Sequence, residues 1–596
     1  MSEPQESYTE TQRRLAQRQE TIRQQAHLHL LYGRARIATF LSAALLAWFI
    51  FHDNLLSAGW LAVPVLFFFG LLARHDRLLR LLDRSRRGAS VYEQGLRRME
   101  DRWMGTGIRG ERFVSAAHPY SGDLDLFGRG SLFELLCTAR TQMGEACLAA
   151  WLSAPAEPEA IRARQAAVSD LRERLDFREA LATAGEEVRS ALKPQVLTDW
   201  GAQPSEPTPR SAWLLAWGML ACNLGAAVYG VTGHGYYLLV LLIVADRFLL
   251  GRQRARIRSV LLNTDRPARQ LELIAVLIAR IEEETFDAPL LKAMQAELRA
   301  GDQLASQQIR RLQTLLAWMS VRQNLFFVLI DAVVLWTVQF AFAIENWRAA
   351  NGARLAQWTR ILGEFEALNS LATYAYEHPA DPFPEIVDQG LVLRAEGVSH
   401  PLLPDRQAIR NDVTLDAATR LYIISGSNMS GKSTLLRTVG VNTVLALAGA
   451  PVRATRFTLA PLHLGASLRT QDSLQGGISR FYAEIQRLRQ IVDISRDQPP
   501  LLFLLDEVLH GTNSHDRRVG AEAVLRSLLR EGAVGLLTTH DLTLTQIAAD
   551  LDLHAVNAHL EDTIVEGKMH FDYHLRPGVV TRSNAIELMR AVGLEV

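Results

Sequence analysis

A multidomain α plus α/β protein is predicted by three features of the sequence. Two pairs of apolar runs carry arginine-rich flanks, the stretches around them show helical periodicity, and short β-like runs alternate with helices from about residue 385 onward. At 596 residues the chain outgrows a single hydrophobic core, so roughly two to four domains are expected.

Residues 1–35 are polar and rich in Gln, Arg and Glu. They read as a charged N-terminal helix, and no cleavable signal-peptide pattern is visible in them. Residues 36–75 hold the first apolar pair, Ile37–Phe51 and Leu55–Ala73, each near the length that crosses a hydrocarbon core as a helix. Arg34 and Arg36 precede the pair, and Arg74, Arg77, Arg80, Arg84, Arg86 and Arg87 follow it, whereas the connecting His52, Asp53 and Asn54 include no Lys or Arg. By the positive-inside rule this is a transmembrane hairpin with both ends in the cytoplasm. A buried helical hairpin of a soluble core is the competing reading.

Residues 90–210 are helical in pattern and form the first part of a helical core. Pro204, Pro207 and Pro209 mark a linker, and residues 211–250 repeat the hairpin design, with Trp213–Val231 and Tyr236–Ala245 followed by Arg247, Arg252, Arg254, Arg256 and Arg258. Residues 251–378 continue the helical core as a lever. A fifth apolar stretch, Leu325–Ile344, carries Asp331 and Gln339. An ionisable group at mid-bilayer is costly, and one extra span would reverse the side on which the C-terminal domain lies, so this stretch is expected to be a buried or interfacial helix. Pro379, Pro382 and Pro384 mark the linker to the last domain, 385–596.

Composition narrows the function classes. Lys plus Arg equals Asp plus Glu at 64 each, without the basic excess of a protein that lives by non-specific attraction to nucleic acid. Cys137, Cys147 and Cys222 show no metal-ligand spacing and read as small core residues of a reducing compartment.

The chemistry concentrates in the last domain. An apolar strand, Leu421–Ser425, runs into Gly426, Ser427, Asn428, Met429, Ser430, Gly431, Lys432, Ser433 and Thr434, and a helical stretch follows. Glycines at this spacing let backbone N–H groups curl around phosphates at a helix N-terminus, so these nine residues are candidates for binding ATP. Lys432 is then expected to reach the β- and γ-phosphates and Ser433 to ligate Mg²⁺. A second apolar strand ends in Asp506 and Glu507, read as a Mg²⁺-holding carboxylate and the general base for the attacking water. A third strand ends at His540, a candidate γ-phosphate sensor, with an ordinary strand-end histidine as the alternative.

With Asn428 and Met429 inside the loop, the phosphate motif resembles that of the MutS mismatch-repair family, specifically a membrane-associated branch lacking the mismatch-recognition domain. Leu505–Asp516 resembles that family's Walker B segment. The resemblance implies that Gly511, Thr512, Asn513 and Ser514 reach the partner subunit's ATP site in a homodimer. Asp472, Ser479, Phe481 and Glu484 resemble the family's middle loop, with Arg480 in place of a usual threonine. Ser399–Leu402, Arg410–Val413, Phe571–Gly578 and Ser583 resemble further parts of its ATPase domain. Upstream, Gly130–Leu136, Thr141–Gly144, Trp151, Leu152, Ile161–Gln165 and Ala367–Ala372 are similar to the family's helical core.

No counterpart of the mismatch-reading domain precedes residue 100, and a hairpin lies where the family's DNA clamp would be. The resemblance implies an ATP-driven dimer clamp acting on mismatched or branched DNA in repair or recombination, although both parts that grip DNA in the family are missing or replaced. The alternative is a membrane-anchored ATPase switch with a protein partner. A transporter subunit is a third reading, weakened because Val508 follows Glu507 where such proteins carry proline. The expected location is the cytoplasmic membrane, with the ATPase domain facing the cytoplasm.

Overall fold

Charged residues rich in helix formers and the first apolar run make one continuous helix, α1 (Glu3–Phe51), which packs antiparallel on α2 (Ala62–Met99). The computed structural model describes residues 3–52, 57–185, 194–204, 207–249, 268–300, 303–320, 327–427, 430–468, 480–550, 554–565 and 568–580. The chain divides into two compact units, Met1–Thr138 with Cys147–Leu175 and Leu368–Val596, and Ala139–Ala146 with Asp176–Ala367.

In the first unit, polar pairs zip the basal part of the hairpin. The Tyr8 hydroxyl donates to Glu100 at 2.8 Å, and Arg36 meets His75 at 3.1 Å. Arg98 donates two bonds to the Glu377 carboxylate, at 2.7 and 2.6 Å, with both side chains nearly buried. At the other end Phe40, Leu45, Leu66 and Phe67 all face outward. Gln5–Phe51, Ala58–Met99 and Arg210–His234 are long and apolar enough to cross a membrane.

Residues 116–125 and helix α3 (Pro158–Arg172) also belong to this unit and brace its α/β part. Proline at the start of α3 gives up no helical hydrogen bond there. Arg162 donates to the Ile386 carbonyl at 2.8 Å, Ala466 N–H to the Pro119 carbonyl at 2.9 Å, and Arg437 to the Asp123 carbonyl at 3.1 Å. Part of the segment read as helical core from sequence thus packs on the sheets.

The second unit contains α4 (Arg210–Tyr229), α5 (Tyr237–Leu249), α6 (Ala268–Glu283), α7 (Ala305–Ser320) and α8 (Phe327–Val334). The long helix α9 (Trp336–Glu377) begins in this unit and ends in the first. Ile274, Ile278, Leu312 and Leu316 make the apolar face between α6 and α7. The apolar stretch expected as one helix is broken: Leu335 has φ 53°, and the Asp331 carboxylate accepts from Thr337 N–H at 2.7 Å, capping the new helix. Asp331 is therefore employed at a helix start. Asn223, fully buried on α4, donates to Asp246 at 2.7 Å and to the Val333 carbonyl at 3.1 Å, which gives the acid of α5 its partner.

The α/β part is built from β1 (Leu393–Val398), β2 (Asn411–Leu415), β3 (Leu421–Ser425), α10 (Lys432–Ala448), β4 (Arg456–Leu459), β5 (His463–Ser467), α11 (Arg480–Ile494), β6 (Leu501–Asp506), α12 (Ser514–Arg530), β7 (Val534–Thr539), β8 (Ala555–Val565) and β9 (Lys568–Pro577). Four strands, Glu385–Ile386, β4, β1 and β2 in that order, form one sheet, and six form the other in the order β9-β8-β3-β7-β6-β5. In the larger sheet all neighbouring pairs are parallel except β8–β9. Its central strands are apolar on both faces, as a parallel sheet covered on both sides requires. The register pairs Ser425 with Thr539 and Thr538 with Asp506, so the carboxyl ends of β3, β7 and β6 finish in one row. In such sheets that is where ligands bind.

Candidate active site

The turn out of β3 needs small residues. Gly431 sits at φ 92°, where a Cβ would also lie 2.8 Å from the Tyr573 ring. A Cβ on Gly426 would meet Ser430 Oγ at 2.8 Å and the Leu560 carbonyl at 2.9 Å. The loop therefore closes tightly and delivers Lys432 as the first residue of α10. Lys432 Nζ donates to the carbonyls of Gly426 at 2.9 Å and Ser427 at 2.7 Å, inside the curve of the loop. The hydroxyls of Ser427 and Ser430 are buried without a partner among the described residues, at a cost that a ligand able to accept or donate would remove. Asn428 and Met429 lie outside the described residues.

The end of β6 brings the carboxylates to the same place. Asp506 accepts from the Thr538 hydroxyl. Glu507, at φ 49°, turns out of the strand, and its N–H still bonds the Thr538 carbonyl at 3.0 Å. Its Oε1 lies 3.8 Å from Lys432 Nζ and 3.1 Å from His540 Nδ1, and its Oε2 lies 3.1 Å from His510 Nε2. Burial raises the Glu507 carboxyl, but the His540 hydrogen bond and the electrostatic pull of the neighbouring His540, Lys432 and His510 outweigh it and leave it below the usual carboxylate range. Burial likewise pushes the Lys432 ammonium down, against the pull of Glu507 and Asp506. A base beside a half-desolvated ammonium is a common active-site pattern.

Lys432, Asp506 and Glu507 open onto a cleft of about 1030 Å³, lined also by Ser433, Thr434, His400, Asn411, Phe571 and Tyr573. Asn411 holds the wall in place by donating to the Tyr573 carbonyl at 3.0 Å and accepting from Leu575 N–H at 2.7 Å. Phe571 and Tyr573 stack at 5.8 Å. His400 is buried, its Nδ1 accepting from Leu402 N–H at 3.2 Å, and desolvation beside Arg437 and Arg453 pushes it down to about 4. The donor set fits Mg²⁺ and a nucleotide: oxygen ligands on Ser433 and Asp506 for a hard cation, and an ammonium with two unpartnered hydroxyls around the loop for phosphate.

The structure brings Lys432, Ser433, Asp506, Glu507 and His540 together. Gly511, Asn513 and Ser514 stand exposed beyond them, with Thr512 half-buried. Asn513 caps α12 by accepting from Asp516 N–H at 2.9 Å, which fixes the direction in which this corner faces. Asp472, Ser479 and Ser583 lie outside the described residues. Glu484 accepts from Leu509 N–H and so pins the turn after Glu507. Sequence reasoning gave no role to His510, His400 or Tyr573. His510 follows Glu507 by three residues, but only the positive φ of Glu507 and Leu509, 49° and 57°, folds it back.

Comparison with known proteins matches residues 121–495 to the MutS domain III model and residues 422–595 to the MutS domain V model. A DNA mismatch repair protein MutS of Natronomonas pharaonis is 33% identical over 254 residues, which are 41% of this chain and 28% of that protein. An Endonuclease MutS2 of Thermus thermophilus is 34% identical over 203 residues, 33% of this chain and 25% of that protein. A DNA mismatch repair protein MutS 2 of Halobacterium salinarum is 34% identical over 256 residues, 41% of this chain and 28% of that protein. The matched region thus spans under a third of the length of these relatives.

Proposed function

We propose, from the premise that this chain belongs to the MutS family, that it is a membrane-tethered, dimerising ATPase that acts on mismatched or branched DNA in repair or recombination. The observation that carries the ATPase reading is the convergence of Lys432, Asp506 and Glu507 on one cleft, with His540 3.1 Å from the Glu507 carboxylate and the unpartnered Ser427 and Ser430 hydroxyls in the adjoining loop. ATP with Mg²⁺ supplies the phosphoryl group to be cleaved. Lys432 neutralises phosphate charge, and Ser433 with Asp506 holds the metal. Glu507, ionised at neutral pH, orients the attacking water and accepts its proton, while His540 keeps the carboxylate in position. The exposed corner at Gly511–Ser514 supports a second copy facing the site, so that nucleotide occupancy favours the closed dimer.

The membrane tether rests on the outward apolar side chains of α1, α2, α4 and α5, among them Phe40, Leu66, Leu214 and Phe248. The DNA reading rests on family membership and on the likeness to mismatch-repair and MutS2 relatives. A second reading, a membrane-anchored switch with a protein partner, is favoured by the balance of 64 basic and 64 acidic residues. ATPase measurement of the detergent-purified protein separates the two, run without DNA and with homoduplex, mismatched and branched DNA, with Glu507→Gln as the blank. Stimulation by mismatched or branched DNA above homoduplex is expected. Glu507-dependent activity that ignores every DNA overturns the DNA reading, and activity that survives Glu507→Gln overturns the assigned base.

A further inference from the structure

We infer that Glu507, His510 and His540 form a binding site for a divalent transition metal of the zinc class, distinct from the oxygen donors offered to Mg²⁺, and that its occupancy switches hydrolysis off. The binding half stands on geometry alone. The inhibitory half rests on the reading of Glu507 as the base.

Three segments supply the donors: the end of β6, the turn after it, and the end of β7. One ligand atom from each residue lies within 4.8 Å of the other two. His540 Nδ1 and His510 Nε2 each approach a different oxygen of the Glu507 carboxylate at 3.1 Å. Zinc bonds of ~2.0–2.1 Å at tetrahedral angles put ligand atoms about 3.3 Å apart, so small side-chain shifts suffice to close the site. The two imidazole rings lie 4.9 Å apart and are tilted by 32°, so both edges face the carboxylate. Two imidazoles with one carboxylate leave further coordination positions open, as reactive and exchangeable metal sites do.

Chemistry separates this site from that for Mg²⁺. Imidazole nitrogen suits Zn²⁺, Co²⁺ and Ni²⁺, whereas Mg²⁺ takes oxygen ligands. Access is open, because His510 and His540 are 43% and 38% exposed while Glu507 behind them is less so. The turn is held for the purpose: Glu484 pins Leu509 N–H, and φ of 49° at Glu507 and 57° at Leu509 returns His510 over the carboxylate. Nothing in the phosphate chemistry requires His510. The Lys432 ammonium at 3.8 Å from Oε1 opposes a second cation, so binding is expected to be exchangeable. A metal that takes the Glu507 oxygens removes the base from the water it would activate, without touching the loop that holds phosphate.

The test uses the full-length protein in detergent, with Mg²⁺ in excess. Zn²⁺ binding is followed by titration calorimetry, and Co²⁺ by its visible absorption, in the native protein, His510→Asn and His540→Asn. The expected result is a site present in the native protein and at least tenfold weaker in both variants, with the Co²⁺ band of nitrogen ligation lost. In parallel, the ratio of ATPase rate with and without Zn²⁺ is measured within each protein. A fall in the native protein that is relieved in His510→Asn is expected. Equal Zn²⁺ affinity and Co²⁺ absorption in all three proteins overturns the site and leaves the imidazoles as plain hydrogen-bond donors. Zn²⁺ that binds through His510 yet leaves the rate unchanged overturns the inhibitory half. A protein with no ATPase activity in any condition instead refutes the reading of Glu507, and the metal site is then judged on binding alone.

Discussion

Replacing His400 by glutamine should remove a specific part of the acid sensitivity of the first unit. His400 is 8% exposed, accepts from Leu402 N–H, and is pushed from the ordinary 6.5 down to about 4 by desolvation beside two arginines. A histidine depressed in the folded state contributes stability that is fully present above its unfolded value and is lost as pH falls below it. At pH 5 the unfolded imidazole is protonated and the folded one is still neutral. The gap of ~1.5 pH units below the unfolded value costs about 2 kcal/mol of stability relative to neutral pH. Glutamine retains an acceptor for Leu402 N–H but no titrating ring. Urea unfolding of the detergent-solubilised protein at pH 7.5 and pH 5, native against His400→Gln, isolates the contribution, since carboxylates common to both cancel. The native protein should lose about 2 kcal/mol more than the variant between the two pH values. Parallel losses would mean that His400 is solvated or protonated in the fold, and the argument from desolvation would be wrong.

Other expectations follow from the same geometry. Arg98→Ala strands the nearly buried Glu377 carboxylate and should cost about 3–5 kcal/mol, while Glu377→Gln in the same background recovers part of it, both read by denaturant unfolding. Gly431→Ala forces a Cβ at φ 92° against Tyr573, a strain of about 1–2 kcal/mol before the clash is counted, and should weaken binding of a fluorescent ATP analogue; unchanged affinity would refute the tight loop. The outward apolar side chains of α1 and α2 should keep the protein in the pellet after alkaline carbonate washing of membranes, and release into the supernatant would refute insertion.

The tight turn from β3 into α10 was legible because strand, glycines, lysine and helix are contiguous, and local sequence dictates each of them. Asp506 and Glu507 were legible for a related reason: a wholly apolar run ending in two acids makes sense only at the rim of a buried parallel strand. What escaped notice depends on backbone or on distant partners. The stretch Leu325–Ile344 is apolar on both sides of Leu335, and the break there comes from a left-handed leucine with the next helix capped through Asp331, which no apolar pattern announces. The position of His510 over the Glu507 carboxylate depends on positive φ at two bulky residues, Glu507 and Leu509. The union of residues 116–125 with β5 and α10 consists of backbone and side-chain bonds across more than three hundred positions, such as Arg437 to Asp123. Helical periodicity says nothing about which neighbour such a segment chooses.

The uninterrupted run of α1 from charged to apolar sequence, with α2 zipped along it, has a consequence for how such a protein meets its target. With the apolar ends in lipid, the roughly 25 residues of α2 beyond Ala73 make a stiff spacer about 38 Å long. Arg98 and Glu377 lock the far end of that spacer to the helix that leads into the α/β part. Under the proposed insertion, a head on such a stalk would sample a thin layer at fixed height above the bilayer, and its encounters would become a search over a surface. If the proposed dimer forms, its two heads would be concentrated by that confinement, and the local density of the protein in its membrane, more than its total amount in the cell, would set how often pairs form.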